Sequence, residues 1–270
     1  IAQVREAFHV LLLRELAPPL GTALRLKGGV NLRLFFGSIR YSEDMDLDAD
    51  RRLEGQLRRK LPSIIGSTGF RRRLYQLGVE VEPPSAPAKN TGTVLRYKLR
   101  LVLGGVPYPT KIEVSYRNDA PRSWARLASP LPEIVQPYLE LGGIFPPIGY
   151  YAHRFAVRQK IRALAGRSAV QARDAFDLAM LAEERHGSLD FGFLRDTLTD
   201  AVIAEARERA FGISVAVFRD QVGEFLAPDQ RDKCVASWED TQLAVTELLD
   251  AIQRTPRSGT TPSRDEVGRP

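Results

Sequence analysis

Cysteine is nearly absent: Cys234 stands alone in 270 residues. A single thiol cannot close an intrachain disulfide, which fits a reducing compartment, and a cytoplasmic location is expected. Three histidines beside one cysteine are too few for a zinc site. No apolar run approaches the ~20 residues of a membrane helix, so no membrane partner is expected. The run Val10-Leu11-Leu12-Leu13 is hemmed in by His9 and Arg14 and has no cleavage-site pattern after it, so no signal peptide is expected. Lysine is scarce too, at seven of the 39 basic residues; the rest are arginine. The net charge of +6 is a mild excess, compatible with a nucleic-acid partner without requiring one. No internal repeat is present. No Gly-Lys-Ser/Thr follows the chain's first Gly-Gly pair, which excludes a P-loop. The third glycine of a dinucleotide fingerprint is missing as well.

What the chain does have is concentrated between Lys27 and Asp48. Gly28-Gly29 opens a segment with helical spacing, and a helix N-terminus presents unpaired N–H groups that favour phosphate. Some fifteen residues later, Tyr41 to Asp48 reads as a strand carrying Asp44-x-Asp46. Alternate side chains on a strand share a face, so these two acids project together while Met45 and Leu47 face a core. Two hard carboxylates on one face suit Mg2+ shared with substrate phosphates, with Mn2+ as a substitute. Asp48 and Asp50 could equally make this a solvated acidic edge. Two-metal nucleotidyl transfer needs a third carboxylate on a neighbouring strand, and Glu113 in Lys111-Ile112-Glu113-Val114 is the candidate.

Around this centre the apolar spacing predicts a helix over 2–16, ended by Pro18-Pro19, then a short strand at Leu24–Leu26. An amphipathic helix is expected from Asp50 to Ile65, broken at Gly66 and Gly69. Alternating patterns over 74–82, 93–102 and 110–116 predict a three-stranded meander. The region 121–149 is proline-rich and reads as a connection. From Tyr150 the spacing is helical over 150–166, 170–186, 189–210, 214–226 and 229–254. Residues 255–270 have almost no apolar side chains and are expected to be a disordered tail. The domain reading is therefore 1–120 catalytic, 121–149 connecting, 150–254 helical and 255–270 tail.

Lys27-Gly28-Gly29-Val30-x-Leu32-Arg33, then Tyr41-Ser42-Glu43-Asp44-Met45-Asp46-Leu47, resembles the signature of the AbiEii/AbiGii-type nucleotidyltransferase toxins. These belong to the DNA polymerase beta-like nucleotidyltransferase superfamily. The resemblance extends to Gln159-Lys160-x-x-Ala163 and Arg173-Asp174-x-x-Asp177-Leu178-Ala179, spanning residues 24–180. It implies an α+β fold: a polymerase-beta-like mixed-sheet domain followed by an α-helical one. Lys27, Gly28 and Gly29 would cradle a nucleoside triphosphate with Ser42 beside it. Asp44, Asp46 and Glu113 would hold a pair of Mg2+ ions, and Lys160 would contact the phosphates. Asp174 and Asp177 would form the family's last acidic motif. On the residues alone, a lysine facing two acids across a helix hairpin could also be a plain salt bridge. The chain departs from the family in having Val30 where threonine is frequent. It also has His153, Arg154 and Arg158 where acids commonly precede the lysine motif.

The implied activity is that of a toxin in a toxin–antitoxin or phage-defence system. It would move a nucleoside monophosphate from a triphosphate to an RNA acceptor, the tRNA 3′ end, and so block translation. A cognate antitoxin encoded nearby is the implied partner. An acceptor RNA would need a surface such as the basic cluster Arg51–Lys60 with Arg71–Arg73, which on the residues alone could also be a solvated helix face. The alternatives are nucleotidylation of a protein or small-molecule hydroxyl, or a nucleotide- or RNA-binding module without catalysis.

Overall fold

The computed structural model describes residues 2–84, 86–117, 121–183 and 188–258. In chain order the main elements begin with α1 (Ala2–Leu16), β1 (Leu24–Lys27), α2 (Gly28–Phe36) and β2 (Met45–Ala49). Next come α3 (Glu54–Gly66), α4 (Thr68–Gln76), β3 (Val79–Val81), β4 (Lys89–Thr91), β5 (Val94–Leu103) and β6 (Val106–Ser115). Then follow β7 (Ala125–Ala128), α5 (Pro132–Val135), β8 (Ile148–Tyr151), α6 (His153–Gly166) and α7 (Ala172–Ala182). The last are α8 (Phe191–Thr197), α9 (Asp200–Phe211), α10 (Val215–Val222), α11 (Pro228–Ala236) and α12 (Trp238–Arg254).

All eight strands form one mixed sheet in the order β3-β5-β6-β2-β1-β8-β7, with β4 on β5. The strand bearing the acids, β2, lies inside this order, antiparallel to β1 and parallel to β6. Its period-two pattern determines which side is which. Met45 and Leu47 are buried, as are Ile112 and Val114 on β6 and Leu24 and Leu26 on β1. These side chains share a core with Phe8, Leu11 and Leu12 of α1, Leu57 and Leu61 of α3 and Phe70 and Leu74 of α4. Burying one face in this way leaves the polar alternates of β1, β2 and β6 together on the other.

Three expectations are corrected here. The acidic strand begins at Met45, not Tyr41; residues 41–44 lead into it without pairing. The segment 74–82 is not one strand. Ser67 accepts a hydrogen bond from the Phe70 N–H and caps α4, which runs to Gln76 before the three-residue β3. The spacing of Phe70 and Leu74, buried four apart on one helix face, outweighs the alternation that begins at Leu74. The region 121–149 contributes β7 and the start of β8, and β8 pairs in parallel with β1 through Leu26 and Tyr150.

The described chain forms two compact units, residues 1–156 with 222–234, and residues 157–221 with 235–270. The first unit extends past residue 120 because β7 and β8 complete its sheet. It also takes in Phe225, whose carbonyl accepts from the Tyr41 N–H at 2.8 Å. The second unit is helical. Its α7 buries Ala175, Phe176, Leu178 and Leu181, and Trp238 stacks on Phe218 at 4.2 Å. Two expected helices are divided in two: 189–210 into α8 and α9, and 229–254 into α11 and α12. Thr199 caps α9 by accepting from the Val202 N–H. Of the expected tail, residues 259–270 lie outside the described residues. Arg257 and Ser258 are tied to α8, through the Arg195 carbonyl at 2.8 Å and the Asp196 carboxylate at 2.9 Å.

Candidate active site

The polar face of the first unit is built by strand register. Asp46 pairs with Lys27 on one side and Glu113 on the other; Asp48 pairs with Arg25 and Ser115. Asp44 stands two residues ahead of Asp46, so Asp44, Asp46 and Glu113 are neighbours across β2 and β6. Asp44, Glu113, Asp48 and Asp50 are each set against a cation. Lys111 reaches the Asp44 carboxylate at 2.5 Å while its backbone N–H donates to the same group at 3.2 Å. Arg96, opposite Glu113 on β5, donates to it at 2.7 Å. Lys27 donates to Asp48 at 2.6 Å, and the Tyr151 hydroxyl donates to the other Asp48 oxygen at 2.7 Å. Asp50 is bound by the buried Arg25 at 2.9 Å. The solvated-edge reading therefore does not apply to Asp48 or Asp50, which are paired and shielded.

Asp46 differs from these, since no hydrogen bond or ion pair is made to its carboxylate among the described residues. Burial pushes its carboxyl above the usual range. Lys27 pulls it back, Asp44 and Glu113 push it further up, and Lys111 opposes them. Concentrated negative charge of this kind is relieved by a cation, and three hard oxygen donors fit Mg2+. Among the described residues no three acids converge into a ready-made cage. Asp44 is bound to Lys111 and Glu113 to Arg96.

The glycine turn is fitted to this face. Gly28, the first residue of α2, has φ +66°, where side chains are strained, and a Cβ there would lie 3.0 Å from the Asp46 carboxylate. At Gly29 a Cβ would fall 2.7 Å from the Ser42 hydroxyl and 2.9 Å from the Arg40 guanidinium. Ser42 donates to the Asp44 carbonyl at 2.9 Å. The turn thus lies close against Asp46 and Ser42, and Ser42 is tied to Asp44.

Lys160, Asp174 and Asp177 lie in the second unit, where they form a closed cluster. The Lys160 ammonium is 2.9 Å from Asp174 and 2.6 Å from Asp177, both fully buried, and Arg167 binds the second Asp174 oxygen at 2.6 Å. Burial alone would raise Asp174, but Lys160 and Arg167 outweigh it and hold its carboxyl below the usual range. Two of the three ammonium donors are used in this way.

Sequence reasoning did not assign a role to Lys111, Arg96 or Tyr151. Lys111 was legible in principle, two residues from Glu113 on one strand. Arg96 required the β5–β6 register, and Tyr151 required β8 to be recognised as a strand.

Comparison with known proteins bears on the family and the fold. The family model "Nucleotidyl transferase AbiEii toxin, Type IV TA system" matches residues 11–258. Among solved structures, the nucleotidyltransferase toxin MenT4 of Mycobacterium tuberculosis is similar at 18% identity, with 94% of this chain and 85% of that one covered and a TM-score of 0.58. JHP933 from Helicobacter pylori is similar at 18% identity, covering 93% and 89%, with a TM-score of 0.51. No curated protein sequence matches. The mixed sheet with its helical C-terminal region is the polymerase-beta-like nucleotidyltransferase fold. The chain belongs to the AbiEii family of nucleotidyl transferase toxins of type IV toxin–antitoxin systems.

Proposed function

We propose that this toxin transfers a nucleoside monophosphate from a nucleoside triphosphate to the 3′ hydroxyl of an RNA, with tRNA as the acceptor, and thereby blocks translation. The observation that carries this reading is the pairing of Asp46 with Glu113, one step from Asp44 and in contact with the Gly28-Gly29 turn. The exposed arginines Arg51, Arg52, Arg58 and Arg59 support an acceptor rich in phosphate. Phage defence, a cognate antitoxin encoded nearby and a cytoplasmic site of action belong to the same proposal.

Asp44, Asp46 and Glu113 are the residues that would hold Mg2+, or Mn2+ in its place. The ion would supply Lewis-acid activation of the hydroxyl and charge neutralisation at the α-phosphate. The acceptor oxygen forms a bond to the α-phosphorus as the bond to the bridging oxygen breaks. Pyrophosphate leaves with that electron pair, and the hydroxyl proton passes to solvent. The α2 N–H groups and Lys27 bind the triphosphate, with Ser42 fixing the turn beside it. Lys160 uses its remaining ammonium donor for phosphate, and Asp174 and Asp177 position it.

Transfer of labelled nucleotide into total tRNA, scored separately from protein and small-molecule fractions, tests the reading. Label in tRNA that requires Asp46 and added Mg2+ is expected. Label in the protein fraction alone would overturn the RNA acceptor, and full transfer by Asp46→Asn would overturn the metal assignment.

A further inference from the structure

A groove of about 580 Å3 lies in the first unit between α4 and the β3 edge of the sheet. Pockets of this size hold small ligands or a nucleotide or two. Helix α4 presents Arg71, Arg72 and Tyr75 into it, at the three- and four-residue spacing that puts side chains on one helix face. Val79, Val81 and Val102 provide apolar lining, and Glu80 and Glu82 border the strand side.

Three features single this groove out. Tyr75 is 68% exposed and makes no ring contact among the described residues, an unusual position for a large aromatic on a helix otherwise packed through Phe70 and Leu74. Arg71 and Arg72 are also exposed, and neither forms an ion pair among the described residues. Their neighbour Arg73 is used structurally, bound to Glu15 at 2.5 Å. The acids that share the groove, Glu80 and Glu82, leave both arginines unpaired. The groove thus separates a cationic, aromatic wall from an acceptor-only wall.

We propose that this groove binds a single-stranded RNA segment. Tyr75 stacks on a base, Arg71 and Arg72 bind the phosphates flanking it, and Glu80 and Glu82 accept hydrogen bonds from the base's amino group. Stacking on an exposed aromatic beside cations is how single strands are held without a duplex. Carboxylates select bases that carry amino donors, so cytosine and adenine are favoured over uracil. The proposal rests on the reading that the acceptor is RNA. It names a holding site for that RNA apart from the reacting hydroxyl.

The test uses the full chain and fluorescence anisotropy with labelled oligocytidylate and oligouridylate. Tyr75→Ala is expected to weaken oligocytidylate binding about tenfold, within the range for loss of one stacked base. The double variant R71A/R72A is expected to lower the slope of log affinity against log salt by about 1.4, two single-strand phosphates' worth. E80Q/E82Q is expected to bring the two oligonucleotides to similar affinity. All of these side chains are on the surface, so folding is preserved, and melting curves verify it. Wild-type binding by both Tyr75→Ala and R71A/R72A would overturn the groove, as would equal competition by polyglutamate. If the wild type labels tRNA and these variants label it equally well, the groove is wrong and the proposed function stands. If the wild type binds oligocytidylate through the groove yet labels only protein, the proposed acceptor is wrong and the groove stands.

Discussion

Two places, one in each unit, handle buried charge in opposite ways. At Asp46 and His9 of the first, burial prevails and favours neutral forms. Asp46 is pushed up beside two more acids, and His9, buried against Thr110 at 3.1 Å, is pulled down to about 3. In the second, partner charges prevail, and Asp174 stays ionised below the usual range between Lys160 and Arg167. The same residue types therefore make an unbalanced site in one place and a balanced cluster in the other. Imbalance marks a surface that awaits a positively charged ligand; balance marks one that holds its own elements together.

Exchanging one acid in each unit should separate these properties most clearly. Asp46→Asn removes a repelled carboxylate. Transfer activity is expected to fall at least ~1000-fold, in line with loss of an essential metal ligand, with a melting temperature at or above the wild type's. Asp177→Ala leaves Lys160 with a partner fewer in a buried setting, and a stability loss of about 3–5 kcal/mol is expected in denaturant titration. If Asp46→Asn lowers the melting temperature as much as Asp177→Ala, the contrast fails.

The next effect concerns the turn. Gly29→Ala should displace Ser42 and Arg40, costing about 1–3 kcal/mol as overpacking does and weakening triphosphate binding measured by calorimetry. The smallest effect, taken per pH unit, is a pH dependence that His9 gives the first unit. The His9 folded pKa lies below its unfolded value of about 6.5, so only the unfolded chain takes up the proton between pH 6.5 and about 3. Stability should fall by about 1.4 kcal/mol per pH unit as pH drops through that window. Hydrogen exchange across α1 reads this slope, and His9→Gln should flatten it while exchange across α7 stays unchanged.

The acidic face was largely legible because strand alternation is a local rule. Met45 and Leu47 inward oblige Asp46 outward, and Ile112 and Val114 do the same for Glu113; Asp44 precedes the strand and is held beside them by Lys111. That Glu113 lies on a strand beside the acids was expected from the chemistry of the reaction, but the register that sets it opposite Asp46 was not legible, since it is decided by long-range pairing. Strands β7 and β8 were hidden for the same reason. Ile148–Tyr151 is four residues long and leads into a helix, and β1 is the partner that makes it a strand. The Lys160 cluster was read as an alternative between phosphate contact and salt bridge. Its distances establish the ion pairs and leave one ammonium donor for the proposed contact.

The placement of β2 also governs when the protein can become harmful during its own synthesis. A nascent chain that has reached Ala49 already carries the glycine turn and two of the acids, but β6 supplies the third at position 113 and Tyr151 buttresses Asp48 later still. Strand β2 must wait for a partner nearly seventy residues downstream before Glu113 joins Asp46. At least 113 of the 270 residues are therefore made before the three acids can come together on this face.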